Sequence, residues 1–177
     1  KLGLEQLDLF LIHWPLPDVG DYVETWRAME RILASGGARA IGVSNFQPHH
    51  LQRVLDETDV VPAVNQIEAH PYLTQDDARG FGAAHGIVTE SWSPIKSVMT
   101  ETVVVSLADQ LERTPSQIVL RWHLQNGLVA IPKTGNVQRL AQNLAAGDFE
   151  LGESEMAQLD TLDLGPDAGT DSDESGH

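Results

Sequence analysis

The stretch Leu7-Asp8-Leu9-Phe10-Leu11-Ile12, followed at once by His13-Trp14-Pro15, indicates the fold of this chain. The apolar run predicts a buried strand, and Pro15 ends it because proline cannot donate a hydrogen bond to a neighbouring strand. Parallel barrels place their reactive groups at the carboxyl ends of such strands. His13 is therefore a candidate active-site residue.

Four further apolar runs follow, at the spacing that alternating strands and helices have in a parallel sheet. With the first strand, predicted over Leu7–His13, they are Arg39–Val43, Ala63–Ile67, Ile87–Ser91 and Leu128–Ile131. The segments between them have the period of amphipathic helices. The chain is therefore predicted to belong to the α/β class.

Several of the helices carry recognisable ends. Gly36-Gly37 stops a helix predicted over Tyr22–Ser35, as glycines in the left-handed conformation commonly do. The capping box Thr114-Pro115-Ser116-Gln117 starts another. Further helix starts are predicted at Pro48, at Thr74 with Asp77, at Asn136 ahead of Val137–Leu144, and at Glu153 ahead of Leu162.

These elements make five strand–helix units. A closed (β/α)8 barrel needs eight units and about 250 residues. The chain is therefore predicted to be the last five units of a partial TIM barrel, with three more before Lys1. An open doubly wound sheet is the alternative, because five strands suffice for it. Its phosphate-binding loop is not evident, since Gly80, Gly82 and Gly86 lie in a helical pattern with the wrong spacing.

The amino-acid composition limits the classes of partner that the chain can bind. The net charge of −15, from 26 acidic and 11 basic residues, argues against nucleic acid and anionic membranes, which attract clustered positive charge. The chain has no cysteine and no apolar run near the ~18 residues that cross a bilayer, which predicts a cytoplasmic protein. Residues 165–177 are acidic and rich in glycine and serine, which predicts a disordered tail after a domain over residues 1–164.

Polar side chains stand near the end of every predicted strand. Because the carboxyl ends of parallel strands meet at one mouth, these groups are expected to converge. Amide and hydroxyl groups with one indole and one ammonium suit a nucleotide cofactor, whereas the paired carboxylates of glycosidases and a Ser-His-Asp grouping are not evident. The residues are His13, Ser44, Asn45, Asn65, Gln66, Ser91, Trp92, Ser93, Lys133 and Thr134.

Six ordered segments resemble the aldo-keto reductases: LDLFLIHWP, AIGVSNF, VNQIEAHPYL, TESWSPI, RTPSQIVLRW and IPKTGNVQRLAQN. They extend over nearly the whole chain, from about Leu2 to Leu164. The resemblance implies a TIM barrel that binds NADPH across the strand ends and reduces aldehydes or ketones to alcohols. It also implies a small-molecule carbonyl substrate and a monomeric full-length protein.

The resemblance assigns roles motif by motif. His13 looks like the active-site histidine that orients the substrate carbonyl. Trp92 stands where the family stacks an aromatic ring on the nicotinamide, which fixes the face that gives up the hydride. The other implied cofactor-binding residues are Ser44, Asn45 and Gln66 at the carboxamide, Ser93, Ile95 and Ser97 near the pyrophosphate, and Lys133, Thr134, Arg139 and Asn143 at the adenosine end with its 2′-phosphate.

The adenosine end also has a physical argument of its own. Lys133 is one of three lysines in the chain, and Arg139 follows it near a predicted helix start. Cationic side chains and helix N-termini both favour phosphate, and barrel enzymes bind phosphate at the loops after their last strands. Positive charge at this place in an acidic protein predicts a preference for NADPH over NADH.

Two departures from the family pattern affect cofactor contacts. No glycine follows Ser93-Pro94-Ile95, where the family commonly has one, so the pyrophosphate contacts are expected to differ. Gln142 stands where the family often has an acidic residue that holds the adenine.

His49 and His50 are adjacent but lack a third ligand in sequence, so no metal site is predicted there.

The family's proton-donating tyrosine, with its lysine and aspartate, belongs to a part upstream of the first motif. Tyr22 and Tyr72 do not match that motif, so neither inherits the role. The chain alone is therefore expected to be inactive, whereas the longer parent reduces carbonyls. A reductase-like nucleotide-binding or regulatory protein without catalysis is the alternative, because one fold serves many functions.

Overall fold

The computed structural model describes residues 3–95 and 98–174. Its backbone contacts form two compact units. Unit 1 comprises Lys1–Ile67, Asp76–Thr89 and Thr170–His177, and unit 2 comprises Glu68–Gln75 and Glu90–Gly169. Ser97, one of the residues assigned to the pyrophosphate loop, lies outside the described residues.

The strands follow one another in the sheet in chain order. They are β1 (Leu7–Ile12), β2 (Ala38–Ser44), β3 (Val64–Glu68), β4 (Val88–Trp92) and β5 (Val129–Ala130). The pairs β1–β2, β2–β3 and β4–β5 are parallel. The predicted parallel α/β class is confirmed.

The helices of the described residues alternate with the strands, with two helices between β4 and β5 and two after β5. They are α1 (Tyr22–Ala34), α2 (Pro48–Glu57), α3 (Asp76–Ala84), α4 (Thr102–Gln110), α5 (Pro115–Gln125), α6 (Val137–Leu144) and α7 (Glu153–Asp160), with single 3-10 turns at Val98–Thr100, Ala145–Gly147 and Pro166–Ala168.

Each unit has its own apolar core. In unit 1 the indole of Trp26 is fully buried among Val23, Phe46 and Leu51, and its Nε1 donates to the carbonyl oxygen of Val60 at 3.1 Å. In unit 2 Ile118, Val119 and Trp122 of α5 are fully buried, and Trp122 Nε1 donates to Asp160 Oδ1 at 2.8 Å. Satisfied indole N–H groups allow these large rings to be buried without an orphaned donor.

The predicted helix ends are largely observed. Gly36 has φ +79°, and Gly37 N–H donates to Ile32 O at 2.9 Å, which is the glycine stop expected after α1. Asn136 Oδ1 accepts from the N–H groups of Gln138 and Arg139. The capping box at Thr114 is present in full.

Two predicted elements are corrected by the structure, and one observed helix was missed. Helix α3 begins at Asp76, not after Thr74, because Gln75 takes φ +57° and the Thr74 N–H is bonded to Asp163 Oδ1 at 3.2 Å. Strand β5 is shorter than predicted, since it is limited to the two residues that pair with Glu90 and Ser91. Helix α4 was not predicted at all.

The predicted disorder of residues 165–177 stays a prediction. Of this stretch the structure describes residues 165–174. The Ser172 side chain is buried and Asp173 contacts α2 of unit 1.

Replacing Thr114 by alanine should destabilise unit 2. The change removes the hydroxyl that accepts from the Gln117 N–H at 3.3 Å and leaves the N-terminus of α5 uncapped. Loss of a threonine cap costs about 1 kcal/mol of unfolding free energy. Urea denaturation followed by circular dichroism measures the difference, and Ser106→Ala, an exposed residue within α4, is the control. Equal midpoints for Thr114→Ala and the unchanged chain would contradict the assignment of this cap.

Candidate functional site

The first group of predicted site residues lies in unit 1, where the loop after β2 is held from two neighbouring strands. Ser44 ends β2 and stands opposite Gln66 in the parallel register. Ser44 Oγ donates to the Gln66 carbonyl oxygen at 2.7 Å, and the Asn45 N–H donates to the same oxygen at 2.9 Å. Asn45 Nδ2 donates to the His13 carbonyl oxygen at 3.0 Å. These bonds bring the carboxyl ends of β1, β2 and β3 together.

The backbone at Asn45 is left-handed, with φ +63°. This conformation costs about 1–2 kcal/mol for most residues and is tolerated best by glycine, asparagine and aspartate. Ser93, directly after β4, is also left-handed with φ +50°. Left-handed residues other than glycine gather at binding sites, where surrounding bonds impose them. Leu16, Gln75 and Glu112 are left-handed as well, so this backbone is compatible with a binding site at Asn45 and Ser93 without being specific to it.

His13 follows β1 directly, and its imidazole is exposed. The ring lies edge-on to Trp14, with 6.1 Å between centroids. The side chain of Gln66 is half-buried. An exposed imidazole beside the bonded end of β2 is open to a ligand that approaches the strand ends.

Asn65 of β3 was included among the polar groups near strand ends, but no role was predicted for it. Asn65 is buried, and its side chain binds the backbone of Phe46 twice: Nδ2 donates to Phe46 O at 2.8 Å and Oδ1 accepts from Phe46 N at 3.3 Å. The amide therefore clamps the residue after Asn45. The sequence shows two adjacent amide residues, Asn65 and Gln66, near a strand end. It does not indicate which of the two amides faces the ligand.

The second group lies in unit 2 around a cavity of about 390 Å³. This volume is in the range of small-molecule sites. The cavity brings together the predicted residues that follow β5 and those of α6. Its lining comprises Ile95, Met99, Thr114, Pro115, Ser116, Lys133, Thr134, Arg139, Gln142 and Asn143.

The charge of this cavity is positive. Lys133 and Arg139 line it, and none of the described residues that line it is acidic, although the chain as a whole carries −15. Thr114 and Pro115 belong to the N-terminal turn of α5, where backbone N–H groups favour anions. The arrangement therefore suits a phosphate-bearing ligand.

Sequence reasoning did not find four members of the cavity wall: Met99, Thr114, Pro115 and Ser116. The segment Thr114-Pro115-Ser116 was recognised only as a helix start, because a capping box reports local backbone geometry and not what lies across from it.

Trp92 and Ser93 also belong to unit 2 but are not among the lining residues. Trp92 ends β4 half-buried, and Ser93 is exposed.

Neither tyrosine has the environment of an acid. Burial raises the pKa of Tyr22 above its ordinary value. The hydrogen bond that the Tyr72 hydroxyl donates to Glu101, helped by the charge of that carboxylate, raises the pKa of Tyr72 as well. A general acid that works near neutral pH needs a pKa shifted downward from 10. The expectation that neither residue donates the proton is consistent with this direction.

A third polar group joins the two adjacent histidines. Asp173 Oδ1 lies 3.0 Å from His49 Nε2 and 2.7 Å from His50 Nε2. The sequence showed no third ligand beside His49 and His50, because Asp173 is distant in sequence and meets them only in the folded chain. Their potential ligand atoms lie within 4.8 Å of one another.

Within residues 3–95 and 98–174, every helix is too short or too polar to cross a lipid bilayer.

Comparison with known proteins identifies the family. The sequence model of the "Aldo/keto reductase family" matches residues 1–164. Methylglyoxal reductase DkgA of Escherichia coli is 46% identical over 180 residues, which cover 99% of this chain and 66% of that protein. Morphine 6-dehydrogenase of Pseudomonas putida is 45% identical over 186 residues, which cover 97% of this chain and 63% of that protein.

A solved structure gives the same result. A mutant of Gox0644 in complex with NADPH superposes with a TM-score of 0.92 at 45% identity, covering 98% of this chain and 65% of that one. This chain thus spans about two thirds of the length of the relatives it matches. The five parallel strands and their helices are part of the (β/α)8 barrel of these proteins. Since sequence and structure agree over nearly its whole length, the chain belongs to the aldo/keto reductase family of oxidoreductases.

Proposed function

We propose that this chain carries the cofactor-binding part of an NADPH-dependent reductase that converts aldehydes and ketones to alcohols. The observation that carries the proposal is the positive cavity of unit 2, lined by Lys133, Thr134, Arg139 and Asn143. The family resemblance assigns these residues to the adenosine end of the cofactor with its 2′-phosphate. A second cation beside the lysine favours NADPH over NADH, because NADH lacks the phosphate that Arg139 would bind.

In each unit taken by itself, the residues present fit one part of the cofactor. The cavity has the volume of a small-molecule site, and Ser44, Asn45 and Gln66 offer hydroxyl and amide groups to a carboxamide. Trp92 offers a flat ring for stacking, and Ser93 and Ile95 would lie along the pyrophosphate. When bound, NADPH supplies the hydride.

The chain's own residues would orient the reactants. In this proposal the His13 imidazole donates a hydrogen bond to the substrate carbonyl oxygen, which fixes its direction and polarises the C=O bond. Ser44 and Asn45 are already fixed by bonds to Gln66 and His13, so little conformational freedom is lost when a ligand binds. The names of the relatives, a reductase of methylglyoxal and a dehydrogenase of morphine, support carbonyl and alcohol substrates.

We expect the isolated chain to bind NADPH without turning it over. A positioned proton donor contributes about 10²–10⁴ in rate, and neither described tyrosine has the lowered pKa of such a donor. NADPH fluorescence measures binding, and the decrease in absorbance at the NADPH band with methylglyoxal measures turnover. Turnover at the rate of the Escherichia coli reductase would contradict the predicted inactivity, and absence of binding would contradict the proposed function.

The alternative is a reductase-like protein that binds nucleotide without catalysis. The coding sequence upstream of Lys1 distinguishes the two. An in-frame aspartate, tyrosine and lysine on further strand–helix units favour the reductase, and a start codon directly before Lys1 favours the alternative. Binding of NADPH alone is common to both.

A further inference from the structure

His50 is a buried histidine to which the proposed function gives no role. It lies in the first turn of α2, is 1% exposed, and packs edge-on against Tyr22 and Phe46 with ring centroids 5.4 and 5.7 Å away. Its Nδ1 accepts a hydrogen bond from the Gln47 N–H at 3.1 Å. The imidazole therefore holds Gln47, the last residue of the loop that begins with Ser44 and Asn45.

This bond fixes the tautomer of the ring. A neutral imidazole has one N–H, so an Nδ1 that accepts a backbone N–H leaves the proton on Nε2. Nε2 is the atom that lies 2.7 Å from Asp173 Oδ1. The contact is short and brings a carboxylate against the polarised N–H of the ring. A negative charge at this place favours the proton on Nε2.

The same tautomer argues against a metal ion between His49, His50 and Asp173. A metal would need the lone pair of His50 Nε2, and the ring proton would then move to Nδ1 and oppose the Gln47 N–H. The cap of α2 would be lost. The three side chains are better explained as a contact between residues 170–174 and α2.

We propose that His50 and Asp173 are positioning residues for the Ser44–Asn45 loop: Asp173 holds His50 in the tautomer that caps Gln47, and the cap supports the loop. The proposal rests on the proposed function for its significance, since Ser44 and Asn45 matter as cofactor-binding residues. Asn65 holds Phe46, Gln66 holds Ser44 and Asn45, and His50 holds Gln47. Each residue from Ser44 to Gln47 is thus held by at least one hydrogen bond.

The first test is spectroscopic and needs no cofactor. Nitrogen-15 NMR distinguishes protonated from unprotonated ring nitrogens, and we expect His50 in the unchanged chain to carry its proton on Nε2. In Asp173→Asn we expect the second tautomer to be populated, with shifted amide signals of Gln47 and of the Asn45 side chain. The matched control is Asp167→Asn, which removes one charge from the same acidic stretch without changing the His50 contact. A proton on Nδ1 in the unchanged chain, or unchanged Gln47 and Asn45 signals in Asp173→Asn, would overturn the proposal.

The second readout is the pH dependence of the same signals. The groups that face His50 are His49, Asp173 and Tyr22, with Arg53 over the Tyr22 ring and Asp171 nearby. Burial lowers the pKa of His50 below 6.5, and His49 adds to this. Protonation places a hydrogen on Nδ1, so the cap is present above pH 6.5 and is lost as pH falls through the titration of folded His50. Burial alone would raise the pKa of Asp173, but the hydrogen bond from His49 and the imidazole charges lower it below 3.8. A Gln47 signal that stays unchanged on acidification until the chain unfolds would contradict the cap by His50.

The third readout links the contact to the cofactor. A neutral hydrogen bond such as that from the Gln47 N–H to His50 Nδ1 contributes about 0.5–1.5 kcal/mol. We therefore expect Asp173→Asn to weaken NADPH binding by about two- to tenfold, whereas Asp167→Asn should bind NADPH as tightly as the unchanged chain. If the unchanged chain fails to bind NADPH, the proposed function fails while the NMR readout still decides the tautomer. If NADPH binds equally to both variants although the Gln47 signal moves, the contact caps α2 but does not position the site.

Discussion

NADPH binding to the double variant Lys133→Gln, Arg139→Gln should be weaker by about 10- to 100-fold, with NADH binding changed by less than about twofold. Hydrogen bonds to charged groups contribute about 1.5–3 kcal/mol each, and exposure of both side chains reduces this by solvent screening. Only NADPH carries the 2′-phosphate that these cations would bind. The loss should be smaller at high salt, because screening weakens the attraction already present in the unchanged chain.

Fluorescence titration of both nucleotides measures the two affinities. Arg39→Gln is the matched control, because Arg39 is also an exposed cation whose contact, with Asp8 at 2.9 Å, lies at the surface. If the double variant weakened NADPH and NADH equally, the cavity would act as a general positive patch and not as a 2′-phosphate site. If NADPH binding were unchanged, Lys133 and Arg139 would not be the residues that bind the 2′-phosphate.

Replacing Gly42 by alanine should have the largest effect on stability. Gly42 lies in β2, and a Cβ there would stand 2.6 Å from the Val64 carbonyl oxygen and 2.8 Å from Leu11 Cδ2. Leu11 has a flexible side chain, but the Val64 oxygen belongs to the backbone of β3 and can yield only if the strands separate. Overpacking of this kind costs about 1–3 kcal/mol and occasionally more. We expect a loss near 3 kcal/mol of unfolding free energy.

The consequence should reach the candidate site, because Ser44 is two residues further along β2 and bonds to Gln66 of β3. Urea denaturation measures the stability, and Gly80→Ala is the control. A Cβ at Gly80 meets no atom within 4 Å, so alanine in the interior of α3 should raise stability by about 0.4–1 kcal/mol. A Gly42→Ala chain as stable as the Gly80→Ala chain would contradict the close approach of β2 and β3.

Local signals predicted several elements well. Some helix ends depend only on contacts within one turn of the chain, and the sequence therefore predicts them directly. They are the caps at Thr114 and Asn136 and the stop at Gly36. Helix α4 has no such signal. Val103, Val104 and Val105 disfavour a helix slightly, and Glu101 makes no side-chain capping bond. Burial of Val104 and Leu107 in the core of unit 2 stabilises a helix that local preference does not specify.

The identities of the candidate site residues came from the sequence, because six motifs in order carry the family resemblance and strand ends attract polar groups. The sequence alone also determined the α/β class and the positive charge around Lys133 and Arg139. What only the tertiary structure decided is which residues complete each group: Thr114 and Met99 in the cavity wall, Asn65 behind Phe46, and Asp173 beside His50. These contacts join segments distant along the chain. No local rule of spacing encodes them, since they depend on how packed strands and helices bring remote side chains within hydrogen-bond distance.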